Sequence, residues 1–147
     1  MTQKNMKRCD WPGENLGMIA YHDKEWGVPV HDDRKLFEFL ILEGAQAGLS
    51  WQTVLNKREN YHRAFDGFDA RKIACYSERD VKRLILDAGI IRNRLKIAAT
   101  IVNAKIFLRI QKEFGSFDAY IWQFVGGKQI RNKIKSRKNI PATSKES

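Results

Sequence analysis

One carboxylate stands out in the stretch LFEFLILEGAQAGLSW, Leu36 to Trp51. Counted in helical steps of three and four, Glu43 shares a face with Leu36, Phe39, Leu40 and Ala47, all of them apolar. Glu38 falls off that face and is expected to be solvated. Nearby, AYHDKEWG (Ala20 to Gly27) is dense in polar aromatics. Trp11, Tyr21, Trp26 and Trp51 offer flat apolar surfaces, and Glu43 offers a hydrogen-bond acceptor. Two arrangements accommodate these residues. The aromatic rings are core and Glu43 pairs with a lysine or caps a helix, or the rings and the carboxylate together line a binding hollow.

The second arrangement has a definite chemistry. A nucleobase is flat and must leave the stack before chemistry is done on it. An alkylated purine also carries positive charge, which the faces of aromatic rings attract. A carboxylate among those rings would accept from the exocyclic amine of the base and favour its cationic form.

A second motif is LILDAGIIRNRLK, Leu84 to Lys96: helix, glycine turn, helix. Gly89 lets the backbone turn without a Cβ. Amides of the turn around Gly89 and Ile90, and of the helix that follows, can face a phosphate. Arg92, Arg94 and Lys96 add charge. Such contacts grip a DNA backbone without reading its sequence. An ordinary helical hairpin closed by glycine has the same spacing.

The elements that must hold these groups read as helices nearly throughout. Asp32 or Asp33 caps one running to about Ala47. Gly48 breaks it, and Ser50 caps the next, from Trp51 to about Phe65. FDGFD is a turn, and Asp69 caps a short helix through Ala74. Ser77 to Asp80 has the form of a capping box. It opens a helix with Val81, Leu84, Ile85 and Ala88 on one face, stopping at Gly89. A long helix follows from about Arg92 to Glu113, with Leu95, Ala98, Ile101, Val102, Lys105 and Leu108 in step. The last spans about Phe117 to Val125. No sustained alternation of period two appears, so the fold class is all-α.

The chain has 147 residues, 43% of them hydrophobic, enough for one domain or two small lobes sharing a core. No apolar run approaches the roughly 20 residues of a membrane span, and the N-terminus shows no apolar signal core. No membrane partner and a cytoplasmic location are therefore expected. The two cysteines are expected to be reduced. The net charge is +10, of which residues 128–147 carry +6 through seven basic residues and one acid. Both the body and this tail favour a polyanionic partner.

Nearly the whole chain from Cys9 to about Val125 resembles the 3-methyladenine DNA glycosylase I family of the helix-hairpin-helix superfamily. The resemblance is carried by RCDW, by IAYHDKEWGVPVHDDRKLFEFLILEGAQAGLSWQTVLNKRENYHRAFDGFD and by LILDAGIIRNRLKI. It implies a helical glycosylase domain over 1–127, with the helix-hairpin-helix at about 78–112, and a basic tail over 128–147. It also implies excision of 3-methyladenine from double-stranded DNA by a monomer.

By the same resemblance Glu43 projects into the base pocket as the catalytic carboxylate, beside Tyr21 and Trp51, with Trp11 and Trp26 lining the cavity. Gly48 and Leu49 fall where the protein enters the gap left by the flipped base. Gly89, Ile90, Arg92 and Arg94 hold the DNA backbone. Cys9 and His22 match two ligands of a structural Zn²⁺ whose other two ligands are absent from this sequence. This sequence stops short of the segment that carries them, so uncovered apolar surface and reduced stability relative to full-length relatives are expected.

Many helix-hairpin-helix glycosylases use an aspartate some twenty residues past the hairpin. From Arg92 to Lys112 this chain has neither Asp nor Glu. The omission is chemically tolerable, because an N3-methylated adenine is a cation that departs as a neutral base. Monofunctional hydrolysis follows, with water attacking C1′. Position alone leaves Lys96 open as an amine nucleophile. The competing readings are a non-catalytic DNA-binding module and a zinc-stabilised interaction domain.

Overall fold

The computed structural model describes residues 8–132 and 140–146. Part of the basic tail expected over 128–147 therefore lies outside the described residues. Those described form helices and no strand. In chain order they are α1 (Leu16–Lys24), α2 (Asp33–Gln46), α3 (Trp51–Asn56), α4 (Arg58–Ala64), α5 (Ala70–Ala74), α6 (Glu78–Leu86), α7 (Arg94–Phe114) and α8 (Phe117–Trp122).

Side chains just outside the helices start most of them. Asn15, Asp32, Ser50, Asp69, Asn93 and Ser116 each accept from a first-turn amide, at 2.8 to 3.2 Å. At α6 the expected capping box forms, with the Ser77 amide donating to Asp80 at 2.9 Å. Such caps answer donors that a helix cannot satisfy for itself. Asp32 is the cap of α2. Asp33 instead accepts from the amides of Phe117 and Asp118, both at 2.8 Å, and from Gln111. It thus fastens the start of α8 to the start of α2.

The long helix α7 packs against α2, α5, α6 and α8. Its core face is Ile97, Thr100, Ile101, Ala104 and Phe107. This corrects the expected stripe in part: Ile101 and Leu108 do face the core, but Leu95 is 80% and Val102 52% exposed. The helix is apolar on most sides, so period alone could not choose the inner face. Phe37, Ile41 and Leu42 of α2, Val54 of α3, Tyr61 of α4 and Phe65 just after it complete the centre.

Three boundaries also differ from expectation. The helix expected from Trp51 to Phe65 is split at Lys57 into α3 and α4. The helix before the hairpin ends at Leu86, not Gly89, and α7 begins at Arg94, not Arg92. In the turn Asp66–Phe68 all three residues have positive φ. That strain is offset by Phe68, which is 1% exposed in the core.

Glu38, expected in solvent, is 12% exposed and sits in an ion cluster. Arg58 of α4 donates to Glu38 at 2.5 Å and, with two nitrogens, to Glu25 at 2.8 Å each. Lys35 adds contacts to both acids, at 3.0 and 3.4 Å. Arg58 also lies 5.5 Å from the Phe39 ring centre. One guanidinium thereby ties the end of α1 to α2 and α4. The partners lie twenty and thirty-three residues away, beyond what helical spacing can reveal.

Breaking a sequestered pair strands the remaining charge. Arg58→Met is expected to lower the unfolding free energy by about 2–4 kcal/mol, measured by urea denaturation. Adding Glu38→Gln in that background should restore part of the loss. A single variant as stable as the parent contradicts this account of the cluster.

Candidate functional site

Five sequence-identified residues converge. Trp11, Tyr21, Trp26, Glu43 and Trp51 line a hollow of about 230 Å³, together with Gln46. A water molecule's share of the liquid is about 30 Å³, so the space is on the scale of one nucleobase. Each wall is placed by a separate local feature. Trp11 stands in the turn before α1, and Tyr21 is on α1. Trp26 follows that helix, its amide donating to the Tyr21 carbonyl at 3.0 Å. Glu43 and Gln46 lie on the last turns of α2, and Trp51 opens α3. Because Glu25 precedes Trp26, the Arg58 cluster also anchors this wall.

The rings brace one another. Trp11 meets Trp26 edge-on at 5.3 Å and Tyr21 at 6.3 Å, and Tyr21 meets Trp51 at 5.3 Å. The indole N–H of Trp51 is buried with no partner among the described residues. Gln46 was missed in reading the sequence. Its position three residues after Glu43, on the same side of the helix, was the available signal.

Glu43 has no hydrogen-bond or ion-pair partner among the described residues. It is not on the core face, which is Phe37, Ile41, Leu42 and Ala45. Its stripe instead borders the hollow and the half-exposed apolar surface of Leu36, Phe39 and Leu40. Although exposed as a residue, its carboxyl loses enough water to raise the pKa above the ordinary glutamate value. Burial, then Glu43 and Glu25, raise the Tyr21 pKa. Tyr21 therefore stays protonated at neutral pH, an available donor. The site is an aromatic box with one unpaired anion at its wall.

The loop after α2 adjoins the hollow. Gly48 has φ +77°, and Leu49 is 41% exposed. At the hairpin between α6 and α7, Gly89 turns without a Cβ as expected, and does so without positive φ. A Cβ there would lie 2.9 Å from Asp87 Oδ1 and 3.1 Å from Asn60 Cβ, so glycine is required by close approach. Several turn amides are spent inside the protein. Gly89 N donates to Asp87 Oδ1 at 2.7 Å, Ile90 N to the Asp87 carbonyl at 3.4 Å, and Ile91 N to the Tyr61 hydroxyl at 3.3 Å. The amides of Arg92, Arg94 and Leu95 have no acceptor among the described residues and remain for an anion. The Arg94 side chain pairs with Glu78 at 2.6 Å.

Lys96 is not poised as a nucleophile. Its ammonium donates to the carbonyls of Ala45 and Ala47, at 2.8 and 2.7 Å.

Cys9 is exposed and makes no disulfide. His22 donates to or accepts from Asp23 through Nδ1 at 2.8 Å, and its Nε2 is buried without a partner. That orphaned nitrogen, oriented by a carboxylate, is the arrangement of a metal-ligating histidine. Yet no group of three His, Cys, Asp or Glu able to hold a metal occurs among the described residues. Cys9 and His22 have the donor types of half a tetrahedral site, and the described residues do not complete one.

The methyladenine glycosylase family model matches residues 11–147. The DNA-3-methyladenine glycosylase 1 of Escherichia coli (strain K12) is 47% identical over 142 residues, which is 97% of this chain and 76% of that protein. The DNA-3-methyladenine glycosylase of Haemophilus influenzae (strain ATCC 51907 / DSM 11121 / KW20 / Rd) is 46% identical over 95% of this chain and 76% of its own. A crystal structure of a 3-methyladenine DNA glycosylase I superposes with a TM-score of 0.91 at 48% identity, covering 95% of this chain and 77% of the other. The Staphylococcus aureus enzyme, described for its recognition of 3-methyladenine, superposes at 0.80 with 37% identity over 85% of this chain and 66% of its own.

An unpaired, partly desolvated carboxylate is a stability cost above its pKa. Both the folded and the unfolded chain are ionised at pH 7, so the whole penalty is present there. It disappears as pH falls through the raised folded-state value. Glu43→Gln is therefore expected to stabilise the ligand-free protein at pH 7 by a few tenths to about 1 kcal/mol, after solvent screening. Denaturation from pH 7 to 4 should show the advantage shrinking towards acid. A destabilised variant contradicts the unpaired state.

Proposed function

Because the chain belongs to the methyladenine glycosylase family, we propose that its aromatic hollow receives 3-methyladenine turned out of duplex DNA. The enzyme is a base-excision glycosylase that hydrolyses the N-glycosidic bond of the damaged nucleotide. The observation that carries the assignment of roles is the carboxylate of Glu43 at the wall of a purine-sized aromatic hollow, with no cation partner among the described residues.

The chemistry divides as follows. The methylated base is already a cation, and cleavage lets it leave neutral. Little proton donation is needed, and the site's task is selection and orientation. Trp11, Tyr21, Trp26 and Trp51 supply ring faces that favour a flat cation over neutral adenine. Glu43 accepts from the exocyclic amine and opposes the positive charge. Its aromatic surroundings strengthen that attraction relative to water. Leu49, presented by Gly48, fills the gap in the stack. Arg92 and the open amides at the start of α7 hold the backbone phosphate. Water then attacks C1′, and no amine of the protein enters the reaction. The unpaired hollow distinguishes this reading from a DNA-binding module, which has no use for it.

Cys9 and His22 are read as two donors of a structural Zn²⁺ whose other two donors are absent from this sequence. A bound Zn²⁺ would draw the turn before α1 towards that helix, and no catalytic step involves it. Any zinc that elemental analysis finds in the purified protein should be lost in His22→Ala. Zinc retained by that variant contradicts the role.

Incubation with methylated duplex DNA is expected to release free 3-methyladenine, detected by chromatography. Glu43→Gln should cut the single-turnover rate by about tenfold or more, equivalent to roughly 1.4 kcal/mol, while duplex affinity is unchanged. No released base from the parent enzyme contradicts the function. An undiminished Glu43→Gln rate contradicts the role of Glu43.

A further inference from the structure

We propose that Lys96 is a positioning residue that sets the base pocket in register with the DNA-gripping hairpin; this rests on the glycosylase reading above. Lys96 lies in the first turn of α7. A cation there opposes its own helix dipole, so the charge serves something else. Its ammonium reaches fifty residues back along the chain to the end of α2, donating to Ala45 and Ala47. That helix end has no basic residue of its own in the last turn, and its final carbonyls need donors. Lys96 supplies them from the neighbouring element.

Both ends of this link face the substrate. Ala45 follows Glu43 by two residues, and Ala47 precedes the Gly48–Leu49 loop. Lys96 follows the open amides of Arg92, Arg94 and Leu95 directly. A second lysine secures the hairpin from behind. Lys57 donates to the carbonyls of Ala88 and Gly89 at 3.0 and 3.3 Å, and Asn60 adds a bond to Gly89 at 3.2 Å. The turn carbonyls are therefore held inward. The distance between the phosphate grip and the carboxylate is set through Lys96. A free base needs only the hollow, whereas a base attached to a gripped backbone needs the hollow at the correct distance. Lys96 should therefore matter for excision from DNA and not for binding of the free base.

The test compares Lys96→Met and Lys96→Arg with the parent enzyme. It measures single-turnover excision from methylated duplex, affinity for free 3-methyladenine by tryptophan fluorescence, and the salt dependence of duplex binding. For Lys96→Met, excision should fall about 10- to 100-fold, the scale of a misplacement near 1 Å. Free-base affinity should stay within about twofold, because it needs no register. Lys96→Arg, whose guanidinium can still reach both carbonyls, should recover most of the rate.

Three results would overturn the proposal. Excision by Lys96→Met could equal that of the parent. Free-base affinity could fall in step with excision, as loss of local structure would cause. The salt slope could drop by about one, as for a lysine that contacts phosphate directly. A parent enzyme that releases no base overturns the functional reading as well, whereas an active parent matched by Lys96→Met overturns only this inference.

Discussion

The structure turns on a carboxylate that the protein leaves alone. Lys35, Arg58, Lys57 and Lys96 are basic side chains with partners of their own. Each is committed to another acid or to backbone carbonyls. No cation among the described residues pairs with Glu43. Removing water from an ionised group without a partner raises its free energy, and the raised pKa is the sign of it. Such an arrangement costs stability in the empty protein and favours a cation that arrives from outside. A positively charged, flat base meets both the anion and the ring faces. A neutral base meets only the rings.

The remaining architecture keeps this vacancy stable. Arg58 draws Glu25 and Glu38 together, which places Trp26 and Tyr21 against the end of α2. The rings of Trp11, Tyr21, Trp26 and Trp51 support one another at tilted and edge-on angles, leaving open faces towards the hollow. The core of α2, α4 and α7 lies on the other side of α2, where Phe37, Ile41, Leu42 and Ala45 are buried. One helix thus serves two surfaces. Its inner side holds the fold, and its other side presents Glu43 and Gln46.

Local signals in the sequence were informative, and distant ones were not. Caps such as Asp32, Ser50 and Asp69 act within three residues, so the helices they open were legible. Glu43 was identified because an acid among apolar residues is anomalous at helical spacing. The inner face of α7 was only partly legible: Ile101 of the expected stripe lies on it, but Leu95 and Val102 repeat as regularly as Ile97 and Phe107. Only the packing of α5 and α8 distinguishes the two stripes. Glu38 was misread because its partner, Arg58, lies on another helix. The carbonyl bonds of Lys96 were invisible for the same reason, and its charge suggested either phosphate or chemistry instead.

The central claim concerns the ionisation of Glu43, and carbon-13 NMR of its side-chain carboxyl reads that directly. Titration is followed in the free protein and again at saturation with 3-methyladenine. If the hollow opposes a carboxylate to a cationic base, the Glu43 pKa starts above the ordinary glutamate value and moves down on binding. A pKa that is unchanged or moves further up when the base enters would contradict the account.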